Sequence, residues 1–195
     1  MSLNANALAT FAQAVALFGY QADEQNAVEN LINIASARME IHCRRALAAR
    51  DYVLLLEGTG CDTLILPEYP VNTVTRLSID SLRTFGTESD VPATGYSLRK
   101  GEGTIRLYAG WFGAYQCPDC IHVEFNAGYA PTHPQLPVLQ AACCEYVDWL
   151  KSRFANPGSI GKKGEYSADR VSVSYETEMP MHVRSALESF VRVVG

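Results

Sequence analysis

The chain lacks both a long apolar run and an excess of positive charge. Its 195 residues are 48% hydrophobic, yet they contain no run of about 18 apolar residues, the length needed to span a membrane. The Ala-rich segment at residues 8–18 has no basic flank of the kind that a signal peptide carries. Because 21 acidic residues outnumber 16 basic ones and the net charge is -5, broad neutralisation of nucleic-acid phosphates is disfavoured. We therefore expect a soluble globular protein of cytoplasmic origin with one sizeable core.

The sequence also lacks the signatures of common catalytic sites. It contains no G-x-x-x-x-G-K-[ST] phosphate loop and no strand-to-helix G-x-G-x-x-G, so Gly101, Gly103 and Gly110 are predicted to be turn residues. The histidines fall in different predicted elements, and none has a serine, cysteine or carboxylate partner at the spacing of a catalytic triad. They are His42, His122, His133 and His182. These absences predict a protein without enzymatic activity, cofactor or metal.

Cysteine is present, but without the pattern of a disulfide framework. The six cysteines lie in helix and strand patterns of a chain too large to need disulfide staples, so most are predicted to be reduced thiols. In Cys117-Pro-Asp-Cys120, a C-x-x-C turn brings two thiols to one metal or into a redox disulfide. A structural zinc site needs four ligands, and only His122 and His133 lie nearby in sequence. A hairpin loop is the favoured interpretation, with a small zinc- or redox-dependent protein as the alternative.

Helical periodicity is found in three main stretches. A weak Ala-rich helix is predicted over residues 5–19 and ends at Gly19. A stronger helix is predicted over residues 24–49, where Asp23 caps the start and arginines crowd the end, as the helix dipole favours. A third helix, with a broad apolar face, is predicted over residues 135–154 after a run of prolines.

Between the second and third helices, over residues 52–129, the period changes to that of strands. Residues 52–57 and 63–66 predict a hairpin across a Gly58-Thr-Gly60 turn. A second hairpin is predicted on either side of the turn at residues 100–103. Residues 84–95 form a polar excursion without clear periodicity.

Together these patterns predict an α+β fold, in which a helical bundle carries an inserted antiparallel β region of five or six strands. We expect one core domain over residues 1–164. A strand and a helix over residues 165–195 then form a predicted docking tail.

The docking tail carries the predicted interface. Its helix begins near Pro180 and places five apolar residues on one stripe at helical spacing. They are Val183, Leu187, Phe190, Val191 and Val194. Because about four turns of helix are marginal alone in water, the stripe must pack on the core of its own chain or on a neighbouring chain.

Two further features have weaker functional interpretations. Aromatic residues cluster beside glycines at residues 108–115, as the anchors of protein interfaces do, although core packing is the commoner role. They are Tyr108, Trp111, Phe112 and Tyr115. Lys162 and Lys163, in a glycine-rich segment, are more typical of a solvated loop than of a phosphate site.

Several motifs, taken in order, resemble those of the head–tail connector (adaptor) proteins of long-tailed bacteriophages. The resemblance covers most of residues 22–194 and includes no catalytic signature. The excursion at residues 84–95 and the C-x-x-C loop depart from it. Its motifs are Leu31-Ile-Asn-Ile-Ala-Ser-Ala-Arg38 with Cys43-Arg44, Leu64-Ile-Leu-Pro-Glu-Tyr-Pro-Val71, Val123-Glu-Phe-Asn-Ala-Gly-Tyr-Ala130 before a proline-led helix, and Val171-Ser-Val-Ser-Tyr175 with the Pro180 helix.

The resemblance implies a structural role in the virion, at the head–tail interface, after assembly in the host cytoplasm. It implies a homo-oligomeric ring, commonly of twelve subunits, that docks below the portal protein and meets the next head-completion or tail protein. DNA would pass through the ring without specific binding, which an acidic chain favours because anionic walls do not hold phosphate tightly. Another phage neck or tail-completion protein is the alternative within this class.

Overall fold

The computed structural model describes residues 2–155, 163–167, 170–174 and 179–192. The chain divides into two compact units, a helical unit of Met1–Leu47 with Pro134–Gly195 and a β unit of Ala48–His133. This arrangement confirms the predicted α+β fold with an antiparallel β region inserted between helices. These two units are defined by the contacts that residues make with one another. The predicted boundary at residue 164 is of another kind, because it separates a core from a docking tail by their functions, and it stays a prediction.

The helical unit contains four α-helices and one hairpin among its described residues. Short 3-10 turns at Ala22–Glu24 and Glu188–Phe190 precede the second helix and follow the fourth. The helices are α1 (Phe11–Phe18), α2 (Gln25–Cys43), α3 (Leu136–Ala155) and α4 (Met181–Leu187), and the hairpin is formed by β7 (Lys163–Ser167) and β8 (Arg170–Ser174).

Local capping sets both ends of the first helix and the C-terminal end of the second. The predicted cap at Asp23 is wrong, because Asp23 lies within the 3-10 turn that precedes α2. α1 begins later than the predicted residue 5, because Thr10 and Gln13 form a reciprocal capping box, and it ends at Gly19 as predicted. α2 ends before the predicted residue 49, because Arg44 adopts a left-handed φ of 54°. The Arg44 N–H donates to the carbonyls of Glu40 and Ile41 and closes the helix.

The core of the helical unit lies where α2 and α3 face each other, with α1 packed on both and α4 packed on α3. Tyr20 fastens the start of α2 to α3, since its hydroxyl donates to Asp148 over 3.0 Å and its ring lies under Lys151. Lys151 also donates to Glu24 over 2.7 Å. This hydrogen bond lowers the pKa of Glu24, whereas burial, more than the bond to Asp148, raises the pKa of Tyr20.

The β unit consists of two antiparallel three-stranded sheets around one apolar core. Strict alternation along the central strand of the larger sheet buries Ile121, Val123, Phe125 and Ala127. The larger sheet has the order β1 (Arg50–Leu56), β6 (Ile121–Ala127), β3 (Val71–Ile79), and the smaller has the order β2 (Thr63–Ile65), β5 (Thr104–Leu107), β4 (Tyr96–Arg99).

One of the two predicted hairpins is wrong. β4 and β5 form the predicted hairpin around residues 100–103, but β1 and β2 do not pair, and each belongs to a different sheet. β1 pairs with β6, and in this register Tyr52, Leu54 and Leu56 pack against the apolar core that includes the inner face of β6.

The polar excursion at residues 84–95 folds back on the free edge of β3. Val91 N–H donates to the Leu77 carbonyl over 2.7 Å, and the Asp90 carboxylate accepts hydrogen bonds from Ser78 and Arg76. The hydrogen bond from Ser78 contributes most to lowering the pKa of Asp90, and the bond from Arg76 lowers it further. β3 also carries two register irregularities opposite β6. The excursion therefore protects one edge of the larger sheet from further strand pairing.

Candidate interaction surfaces

The apolar stripe of the docking tail is buried within its own chain. Val183, Leu187 and Phe190 are at most 2% exposed, Val191 is half-buried, and Val194 lies outside the described residues. The fold therefore uses the stripe to fasten α4 to the helical unit. Contact between these residues and the portal or a neighbouring subunit would require α4 to leave this position, and their role as an interface stays a prediction.

A backbone hydrogen bond fixes the segment that follows α4 and its 3-10 turn. The Arg192 N–H donates to the Cys43 carbonyl at the C-terminal end of α2 over 2.9 Å. Met181, on the opposite face of α4, is 71% exposed. The exposed face of α4, and not its apolar stripe, is thus available to a partner in this conformation.

The Cys117–Cys120 turn packs into the β unit. Cys120 is fully buried in the apolar core and Cys117 lies half-buried against it, and burial raises the pKa of Cys120 to about 11. A Cβ on Gly113 would lie 2.6 Å from Cys120 Sγ. Within the described ranges, no group of three or more histidine, cysteine or acidic side chains is arranged to hold a metal ion. The predicted hairpin loop is wrong, because this turn lies between β5 of the smaller sheet and β6 of the larger sheet, and these strands do not pair. The zinc alternative has no support in this geometry.

The buried thiols of the helical unit have the same character. Burial raises the pKa of Cys43 and Cys144 to about 11 and that of Cys143 to about 12. Because the thiolate is the reactive form, these cysteines behave as small apolar side chains at neutral pH.

Three of the described histidines contact different neighbours. The His122 and His182 Nε2 atoms lie 3.8 Å and 3.7 Å from Glu124 and Glu145, respectively, and the His133 ring meets Tyr129 edge-on at 4.8 Å. The structure thus does not bring the histidines together into one site.

Residues 108–117, which we call the aromatic loop, are held to the turn at residues 58–61 by backbone hydrogen bonds. Thr59 N–H donates to the Phe112 carbonyl over 2.9 Å, and Phe112 N–H donates to the Cys61 carbonyl over 2.8 Å. Gly58 adds bonds to the Cys117 carbonyl and from the Gln116 N–H, at 2.9 and 3.0 Å. The Phe112 side chain is fully buried in the core of the β unit. A covered ring and four backbone hydrogen bonds therefore anchor the loop.

The other three aromatic rings of the loop face solvent. Tyr108 and Trp111 are 70% exposed and Tyr115 is 74% exposed. The sequence predicted the cluster but left core packing and interface as alternatives. The structure assigns Phe112 to the core and the remaining three to the surface, where large apolar rings on a fixed backbone are typical of interface anchors.

A second apolar surface of the β unit was missed by sequence reasoning. Val53 and Leu55 on β1 are 65% and 50% exposed and lie on the face of the larger sheet opposite its core, across from Glu124 and His122 of β6. We call this pair the aliphatic strip. The signal was present, because residues 52–56 are nearly all apolar and only alternate positions of a strand reach one face.

None of the described helices is both long enough and apolar enough to serve as a membrane span.

The family model for the head completion protein family matches residues 10–193 of the chain. The chain therefore belongs to the head completion protein family. This membership confirms the resemblance to head–tail connector proteins. It supports a head–tail connector role for the chain in a tailed phage or phage-like particle.

Three solved structures share the fold across the whole chain. A protein from the neck of an empty gene transfer agent particle, computed with C6 symmetry, is 21% identical, with a TM-score of 0.59 and 95% of its length covered. One from the native particle's neck, computed with C12 symmetry, is 23% identical, with a TM-score of 0.57 and 97% covered. A protein in the native virion is 23% identical, with a TM-score of 0.58 and 95% covered. This chain is covered completely in each. No curated protein matches the chain.

Proposed function

We propose that the chain forms a ring below the portal vertex, extends the DNA channel and joins the head to the tail. The observation that carries this proposal is the match to the head completion protein family over residues 10–193. The shared fold with proteins from particle necks computed with C6 and C12 symmetry supports a cyclic assembly. Twelve subunits, as implied by the sequence resemblance, agree with the higher of these symmetries.

The charge of the chain favours a passive channel. Each subunit has 21 acidic and 16 basic residues and a net charge of -5, so a ring carries a large net negative charge that repels phosphate. Counterion release, which drives protein binding to DNA, requires lysine and arginine contacts. DNA would therefore move past the ring without being gripped.

The role is proposed to be structural and not enzymatic. His122, His133 and His182 each contact a different side chain. Burial raises the pKa of the Cys120 and Cys143 thiols, which a reaction would need as thiolates. Such groups stabilise a fold better than they catalyse a reaction.

The proposed partners are the portal protein on one side and the next head-completion or tail protein on the other. The docking tail contributes to one of these contacts or to the neighbouring subunit. Met181 and the half-buried Val191 already reach the surface of the helical unit, whereas contact through Leu187 would need the tail to be released. Assembly in the host cytoplasm and residence in the virion follow from this role.

Deletion of the coding sequence from the phage or particle that carries it tests the proposal. We expect DNA-filled heads without attached tails to accumulate, and we expect the chain supplied in trans to restore complete particles. Tails attached to heads in the absence of the chain would contradict the proposal. Tailed particles with defective tails would instead support the alternative of a tail-completion protein.

A further inference from the structure

The aromatic loop is a preorganised binding surface. Its backbone is fixed by four hydrogen bonds to residues 58–61 and by the buried Phe112, so its exposed rings lose little backbone freedom when they are covered. Preorganisation of this kind lowers the entropic cost of association. Tyrosine and tryptophan are also the residue types that most often carry the binding energy of an interface.

The size of the surface fits one side of a protein contact. At about 200 Å² per aromatic side chain and the observed exposure, Tyr108, Trp111 and Tyr115 offer about 400 Å². A standard interface buries about 800 Å² on each partner. The loop therefore supplies about half of one partner's share, and flanking residues would supply the rest.

The charge of the loop excludes DNA as its natural occupant. Residues 107–118 contain no lysine, arginine, aspartate or glutamate, and binding to duplex DNA is driven by cationic side chains on phosphate. An uncharged surface also suits contact between two copies of this chain, because each copy carries a net charge of -5 and charged surfaces of equal sign repel.

A ring needs two different surfaces on each subunit, because each copy meets its two neighbours through opposite sides of a head-to-tail contact. The β unit displays two such apolar surfaces of different chemistry. One is the aromatic loop, and the other is the aliphatic strip of Val53 and Leu55. Aromatic rings packed on β-branched or branched aliphatic side chains form favourable pairs.

We propose that the aromatic loop of one subunit packs on the aliphatic strip of the next subunit in the ring. Trp111 and Tyr115 are the anchors of this contact, and Phe112 only positions the loop. The inference rests on the proposed ring and names the surfaces that close it.

Site-specific photocrosslinking in assembled particles tests the contact. Trp111 is replaced by p-benzoylphenylalanine, particles are purified, and the amount of the chain in them is measured before irradiation. We expect irradiation to give multiples of the mass of this chain, joined through the peptide that contains β1. The matched control carries the same group at Leu82, which is also exposed but lies on a different loop, and we expect no joined copies from it.

The outcomes separate this inference from the proposed function. If the variant chain is present in particles but crosslinks to a different protein, to DNA or to nothing, the subunit contact is refuted while the connector role stands. A crosslink to a second copy outside β1 would refute the aliphatic strip as the receptor. If the unmodified chain is absent from particles, the proposed function fails and the inference fails with it.

A second set of variants guards against effects of the crosslinker. Tyr108→Ser, Trp111→Ser and Tyr115→Ser together remove only exposed rings, so we expect the unfolding temperature of the purified chain to stay close to that of the original. Incorporation into particles should fall about thirtyfold or more, the loss that one or two anchor residues produce. Normal incorporation of a folded triple variant would overturn the proposal. Leu82→Ser is the control for the loss of an exposed apolar side chain on a different loop.

Discussion

The burial of Leu187 predicts that the C-terminal helix stabilises the free subunit. Leu187 is fully buried against its own chain, so Leu187→Ala removes packed methyl groups and leaves a cavity. Such changes cost about 2–5 kcal/mol. With a denaturant slope of about 2 kcal/mol/M in urea, the midpoint of unfolding should fall by about 1–2.5 M.

The assay can be confined to the helical unit by tryptophan fluorescence. The chain has two tryptophans, Trp149 on α3 and the exposed Trp111 on the aromatic loop. In a Trp111→Phe background, fluorescence reports on Trp149 alone, whose ring packs near Tyr146 and under Arg153. Urea titrations of the purified chain then follow the unit that contains α4.

Met181→Ala is the matched control, because Met181 lies on the same helix but is mostly exposed. We expect this change to stay within about 0.5 kcal/mol of the starting chain, as surface substitutions usually do. If Leu187→Ala were as mild as Met181→Ala, α4 would not be packed in the free subunit. The sequence-based assignment of its stripe to a partner interface would then gain support over self-packing.

Three further predictions follow from other parts of the structure. Asp80 accepts hydrogen bonds from the Thr84 side chain and from nearby backbone N–H groups. These bonds, of which the one from the Thr84 side chain has the largest effect, lower the pKa of Asp80 from 3.8 to about 2. Since the folded-state pKa is the lower one, the stabilisation is complete above pH 3.8 and is lost as the pH falls towards 2, so the stability difference between the chain and Asp80→Asn should shrink over that range in acid titrations. Cys120→Ser should lower the unfolding free energy by about 1–3 kcal/mol because it buries a hydroxyl in an apolar core, whereas thermal melts of Cys117→Ser should show a smaller loss; equal losses would contradict the assigned burial. Labelled duplex DNA should show negligible binding at physiological salt, and tight binding with a steep salt dependence would contradict the passive channel.

Much of the fold follows from periodicity in the sequence. The two long helices α2 and α3, the short α1 and the β4–β5 hairpin were predicted, because a 3.6-residue or two-residue period identifies the element. The β1–β2 hairpin was wrong, since local turn signals at residues 58–60 cannot reveal that β1 belongs beside β6, far along the chain. Long-range pairing is decided by which apolar faces complete one core.

The interaction surfaces were only half predictable. A stripe such as Val183 and Leu187 shows that a helix face must be covered, but periodicity does not show whether the cover is the same chain or another. The aromatic cluster was visible in the sequence, yet only the structure separates the buried Phe112 from the exposed Trp111. The covering of the β3 edge through Asp90 gave no periodic signal, because it depends on single hydrogen bonds.

The most direct test of the connector role is an electron cryomicroscopy map of the neck of particles in which this chain carries a small C-terminal label. We expect a closed ring of identical subunits immediately below the portal, with the fold described above, the label on each copy and a central channel wide enough for duplex DNA. Density for the chain at another level of the particle, or a single copy without ring symmetry, would contradict this expectation.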